Sequence, residues 1–160
     1  MSLRVERFPE YGVTLCVYSG VFTVEDLREH WSALTPEDVI RRISYADATA
    51  DASRIDMGAF PELKRHFAAR LKALLAGKRG LSAFVSDGKT GRLGPDFWTS
   101  YLGQDSSVPV QVAPFESLEA ACAWLGVPEA GCRAVIAAAM GGAPRPATTG
   151  SAFAGEHRVR

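Results

Sequence analysis

The chain has 160 residues, enough for one domain with a sizeable core, and 47% of them are hydrophobic, which excludes wholesale disorder. Lys plus Arg and Asp plus Glu number 18 each, so the formal net charge is zero. No excess of positive charge exists to draw the chain to nucleic acid or to an anionic membrane, and neither is expected as a partner.

Residues 3–8 read as a strand, Pro9-Glu10-Tyr11-Gly12 as a turn, and residues 13–19 as a second strand rich in β-branched and aromatic side chains, together a hairpin. A helix follows. Thr23 is its N-cap, with Asp26 three residues on as an acidic capping box, and Val24, Leu27, Trp31 and Leu34 recur at helical spacing. Pro36 discourages continuation. Residues 42–48 form a third strand with Ile43 and Tyr45 on one face, and an acidic loop over 47–58 carries Asp47, Asp51 and Asp56. It leads into a long helix over 59–76 whose stripe is Phe60, Leu63, Phe67, Leu71 and Leu74, with Gly77 as its C-terminal cap.

Residues 81–86 are a short apolar strand and Asp87-Gly88 a turn. Leu93, Phe97 and Tyr101 stand four apart, which predicts a helix within 93–102, with Gly94-Pro95 marking where the helix proper begins. Residues 108–113 are a fifth strand, and Ser117 caps a helix holding Leu118, Ala121, Cys122 and Leu125. Pro128 opens a last helix over 128–140, with Cys132, Val135, Ile136 and Ala139 on one side. From residue 141 the composition turns to Gly, Ala, Pro, Ser and Thr, which reads as a flexible tail over 141–160. Strands alternating with helices predict a layered α/β domain over 1–140, with a mostly parallel sheet and an antiparallel edge from the hairpin.

Cys16, Cys122 and Cys132 are odd in number and never spaced C-x-x-C, so they read as small buried hydrophobes rather than disulfide or zinc residues. The first residues lack the apolar run of a signal peptide, and no apolar stretch is long enough to span a membrane, so a cytoplasmic protein is expected. Gly88-Lys89-Thr90 resembles the end of a phosphate-binding loop, but Ala83 stands where the first glycine belongs, and a plain turn is the reading. Asp47, Asp51 and Asp56 lack the alternation of a calcium loop and read as a solvated acidic loop. His30 and His66 have no His or Cys at ligand spacing and read as surface or boundary residues. Ser19, Ser53 and Ser86 lie near strand ends without a nucleophile elbow. No cofactor, metal or catalytic residue is expected. Trp31 and Trp124 read as core or half-buried. Trp98, beside a Phe97 already committed to the apolar stripe, is free to meet a ligand or partner.

Several stretches together resemble one family. They are Ser19-Gly20 followed by Val21-Phe22-Thr23-Val24-Glu25-Asp26-Leu27, the strand closing on Asp47, Ala83-Phe84-Val85-Ser86-Asp87, and the run VQVAPFESLEAACAWLG over 110–126. Over residues 3–126 the chain resembles the STAS-like, SpoIIAA-like (anti-sigma-factor antagonist-like) proteins of bacteria, to which residues 128–140 add a helix. The resemblance implies a non-enzymatic regulatory domain that binds a protein partner. The phosphorylated serine of the best-known members maps onto Ser53-Arg54-Ile55-Asp56-Met57-Gly58. Asp56 and Gly58 fit the motif, but Met57 takes the serine's place, so the resemblance implies a member without the usual phosphoswitch.

Asp51, Ser53, Asp56, Met57, Gly58, Ser86, Asp87 and Trp98 are the candidate binding residues, at the carboxyl ends of the strands where ligands of parallel sheets collect. A second expectation is a small-molecule or lipid carrier with an apolar pocket of Phe60, Phe97, Trp98 and Phe115 at that edge. A homodimer through an exposed apolar face at 132–140 is a third expectation.

Overall fold

The computed structural model describes residues 2–86 and 109–141. The expected turn at Asp87-Gly88, the loop at Gly88-Lys89-Thr90, the helix over 93–102 with Phe97 and Trp98, and the tail beyond Gly141 lie outside the described residues.

The hairpin forms as expected from β1 (Ser2–Phe8) and β2 (Val13–Ser19), paired antiparallel. The Thr23 capping box starts α1 (Val24–Ala33): its hydroxyl accepts from the Asp26 amide, and the Asp26 carboxylate accepts from the Thr23 amide at 2.7 Å. Then come α2 (Glu37–Ile40), β3 (Arg41–Ala46), α3 (Phe60–Leu75), β4 (Gly80–Ser86), β5 (Val110–Phe115), α4 (Leu118–Trp124) and α5 (Glu129–Ala139). The sheet order is β1-β2-β3-β4-β5, with every pair after the first parallel. The chain is therefore the expected α/β fold with a mixed, mostly parallel sheet.

Both β2-α1-β3 and β3-α3-β4 advance the same way along the sheet, so right-handed crossovers place α1 and α3 on one face. There α1, α2 and α3 enclose Cys16, Tyr18, Trp31, Phe60, Leu63, Phe67, Leu71 and Phe84. The opposite face carries Leu15, Val17, Ile43, Tyr45, Ala83 and Val85, covered by α4 and α5. Cys16 and Cys122 are buried and Cys132 half-buried, all three free. Two arginines bind the open ends of helices, whose last carbonyls lack intrahelical partners. Arg70 of α3 donates to the Ser32 and Leu34 carbonyls at the end of α1, and Arg4 of β1 donates to Ala138 in α5.

The structure corrects several expectations. As expected, α1 does not continue to Pro36 but ends at Ala33; not expected is the short helix α2 that Pro36 leads into, since proline is tolerated at a helix start, where its missing N–H has no partner to lose. Strand β3 stops at Ala46, two residues early, because the Asp47 side chain accepts the Thr49 amide and folds the chain into a turn. In α3 the buried residue of the last turn is Leu75, with Leu74 only partly buried. The cap is shared: Ala76 takes the left-handed conformation at φ 48° and Gly77 follows at φ 87°. In α5 the buried residues are Gly131, Val135, Ala138 and Ala139, with Cys132 and Ile136 half-buried against the same core. The face expected to be exposed for pairing is turned to the sheet, and Met140, 65% exposed, is the large hydrophobic left outside on this helix.

At Gly80 the backbone of α2 comes close to the sheet. A Cβ there would lie 2.4 Å from the Val39 carbonyl oxygen and 3.2 Å from Val110 Cγ2. Backbone cannot rotate away as a side chain can, so Gly80→Ala is expected to cost about 2 kcal/mol by overpacking. A melt should show Tm falling by roughly 4–8 °C; an unchanged Tm would mean that α2 yields freely.

Candidate functional site

Strands β2 to β5 run parallel, so their carboxyl ends share one edge. That edge carries Ser19 and Ser86, and the loop between β3 and α3 is zipped onto it. The Asp47 amide donates to the Tyr18 carbonyl at 3.1 Å, the Asp51 amide to Gly20 at 2.8 Å, and the Phe22 amide to Asp51 at 3.1 Å. Val21 and Asp51 form a parallel bridge. Ser19 donates its hydroxyl to the Asp47 carboxylate, and the Gly20 amide donates to Thr49 Oγ1 at 2.9 Å.

Each loop aspartate then accepts the amide two residues on: Asp47 from Thr49 at 2.8 Å, Asp51 from Ser53 at 2.8 Å and Asp56 from Gly58 at 2.9 Å. These are side-chain turns that pre-order a loop without regular structure. A Cβ on Gly58 would sit 3.3 Å from Asp56 Oδ1, so glycine leaves the carboxylate room. Partial burial works against the charge on Asp47, but the bonds from Ser19 and Thr49 outweigh it and hold the carboxyl below its ordinary range. The Ser53 amide does the same for Asp51.

The structure thus brings Asp51, Ser53, Asp56 and Gly58 together on the loop entering α3, with Ser53, Asp56 and Gly58 exposed. Met57 opens the 3-10 turn Met57–Ala59. Ser86 ends β4, two strands away from β2 on the same edge. Asp87 and Trp98 lie outside the described residues. Beside the loop stands Val21, 41% exposed, which is not among the residues expected from the sequence. Among the described residues no group of three or more His, Cys, Asp or Glu could hold a metal ion. The expected apolar pocket is not assembled by its described members. Phe60 packs on the α1–α3 face and Phe115 with Trp124 on the α4–α5 face, so the sheet separates them.

A second polar group lies inside the domain, under α1 and α3. Thr14, Arg42 and Ser82 are register partners across β2, β3 and β4, and Ser44 follows two residues after Arg42. Arg42 is 5% exposed. Its Nη2 donates to the Tyr18 hydroxyl at 2.6 Å and approaches His30 Nε2 at 2.7 Å, while Nε donates to the Ser44 hydroxyl at 3.1 Å. A guanidinium cannot accept, so His30 Nε2 is the acceptor and the imidazole proton sits on Nδ1. Burial first, and then the Arg42 charge, lower the His30 pKa to about 3, so the ring is neutral. His30 therefore lies deeper than the surface or boundary position expected of it, buried with its ring edge-on to Tyr18 at 5.9 Å. His66 is exposed. A cavity of about 30 Å³ adjoins the cluster, lined by Arg42, Ser44 and Ser82 together with Trp31, Phe84 and Val112 among others.

Two of the three thiols, Cys16 and Cys122, are held toward the protonated form. Burial raises the Cys16 pKa, and burial with the neighbouring Cys132 pushes Cys122 up to about 12. No helix among the described residues is long and apolar enough to cross a membrane. Comparison of the chain with protein-family models, with curated proteins and with solved structures found no match.

Proposed function

We propose that the chain is a non-enzymatic regulatory domain of STAS-like, SpoIIAA-like type that binds a protein partner through the loop entering α3 at the carboxyl edge of the sheet. The observation that carries the reading is the loop itself. Three consecutive aspartate turns hold an exposed segment in one conformation, and the exposed Val21 stands next to it. A pre-ordered loop loses little conformational entropy on binding, and an apolar residue within a polar rim is the usual make-up of an interaction surface. The strand and helix order supports the family reading, as do Ser19-Gly20 with the helix that follows and the strand and helix over 110–126. With methionine at 57 in place of the serine, association in this reading does not depend on phosphorylation there. A cytoplasmic location follows from the same reading.

Immobilised wild type should retain from native lysate a defined set of proteins that the double variant Val21→Asp, Asp56→Lys loses. Glu129→Lys, on α5 across the sheet, should retain the full set. Identical sets from wild type and the double variant would remove this surface from consideration. Both substituted positions are exposed; Val21→Asp should alter stability by no more than about 0.5 kcal/mol, while Asp56→Lys also gives up the bond to the Gly58 amide, about 1 kcal/mol.

A further inference from the structure

We propose that Cys122 and Cys132 form a reversible redox site, oxidised by hydrogen peroxide to an intramolecular disulfide that joins α4 to α5. The Cys122 thiol donates a hydrogen bond to the Cys132 sulfur, so the two side chains meet between the helices. Residues 125–128 turn the chain from one helix to the next. The Val127 amide donates to the Cys122 carbonyl at 2.9 Å, and the Cys132 amide donates to the Pro128 carbonyl at 2.9 Å, which sets Cys132 in the first turn of α5. Gly131 keeps α5 close to this turn: a Cβ there would lie 2.8 Å from Val127 Cγ1 and 2.7 Å from the Tyr11 ring. Both cysteines belong to the core under α4 and α5, whereas Cys16 belongs to the opposite face, and the sheet keeps it from either. Two sulfurs in contact, with the third out of reach, are the arrangement from which one disulfide closes, at a sulfur–sulfur distance of about 2.05 Å.

The two thiols differ in what reaches them. Cys122 is 1% exposed and Cys132 half-buried, so a small oxidant meets Cys132 first. As thiolate, the Cys132 sulfur attacks one peroxide oxygen and the O–O bond breaks. The other oxygen leaves as hydroxide and takes up the proton that Cys132 gave up, and Cys132 becomes a sulfenic acid. The Cys122 sulfur then displaces the sulfenic oxygen as hydroxide, which departs as water with the Cys122 proton, and the S–S bond forms. Two thiols thus lose two hydrogens and two electrons, and one peroxide becomes two water molecules. Burial and the contact with Cys132 hold Cys122 protonated, so it resolves the sulfenic acid and does not compete for peroxide. An added thiol reverses the bond by exchange. This site is separate from the loop entering α3 and stands whether or not that loop binds a protein.

The test is treatment of the reduced full chain, without denaturant, with equimolar hydrogen peroxide, followed by alkylation of the remaining thiols and mass spectrometry. Cleavage after glutamate cuts at Glu119, Glu129 and Glu156, so a bond between Cys122 and Cys132 joins residues 120–129 to residues 130–156. That linked pair is expected, with Cys16 alone left to alkylate, and dithiothreitol should restore all three thiols. In Cys122→Ala no link should form, and dimedone, which captures sulfenic acids, should label Cys132. Cys132→Ser changes the less buried of the two and carries the test if Cys122→Ala does not fold; it should form no link and leave Cys122 unlabelled. Absence of the linked pair from the wild type would overturn the proposal. So would a link through Cys16, dimedone on Cys122 in Cys132→Ser, or oxidation of wild-type Cys132 that dithiothreitol does not reverse.

Discussion

Trp31→Ala is expected to lower the free energy of unfolding by about 4 kcal/mol, at the upper part of the range for large-to-small changes in a core. Trp31 is 1% exposed, and its ring stacks on Phe67 with centroids 4.0 Å apart and planes inclined by 24°. It joins α1 to α3 over the sheet and also lines the Arg42 cavity. Truncation removes the transfer and dispersion energy of the indole and merges its volume with a void already present, so collapse of the neighbours is a poor remedy. Urea denaturation of both proteins measures the difference. A loss below about 2 kcal/mol would mean that α1 and α3 close over the gap. Trp124, half-buried beside Phe115 on the other face, should cost less on the same change.

The elements whose signals are local were legible in the sequence. Thr23 with Asp26, Ser117 before an apolar helix and Pro128 at a helix start each mark their ends by backbone chemistry close in sequence. The same kind of signal, Thr35 followed three residues later by Asp38, marks α2, and Pro36 between them serves both as the stop after α1 and as the lead into α2. The loop candidates were legible because aspartates at strand ends form turns. Val21 was not, since its exposure depends on how residues 47–51 dock on residues 18–22. The Arg42 cluster leaves a trace in the sequence of β3. A central strand of a parallel sheet, covered on both faces, should be apolar throughout. Arg42 and Ser44 interrupt β3 on the face that α1 and α3 cover, and such an interruption marks either an internal network or a site. His30 likewise lies three residues beyond Leu27 and four before Leu34, on the apolar stripe of α1, which already placed it inward. The separation of Phe60 from Phe115 was beyond local reading, because it depends on which face each crossover takes.

Asp38→Ala is expected to cost about 3 kcal/mol, because the carboxylate is fully buried and its removal leaves buried donors unmatched. Asp38 accepts Arg7 Nε at 2.8 Å and Nη2 at 2.9 Å, the Thr35 amide at 2.9 Å, its hydroxyl at 3.0 Å, and the Thr14 hydroxyl at 3.3 Å. It therefore ties β1, β2 and the start of α2 together. Arg7 is half-exposed and can rehydrate, which keeps the cost below that of a pair buried on both sides. Burial alone would raise the Asp38 pKa, but the bonds from Arg7 and Thr35 outweigh it, and the folded value lies below the ordinary 3.8. The folded state thus holds this proton less tightly than the unfolded chain does. The charge-linked stabilisation is complete well above the unfolded pKa of about 3.9, declines as pH falls from there, and is gone below the folded pKa. The stability gap between wild type and Asp38→Asn should accordingly be full at pH 7 and shrink progressively below about pH 4. Urea titrations across that range measure the gap, and a gap that stays constant with pH would show that hydrogen-bond geometry, and not the charge on Asp38, holds α2 to the hairpin.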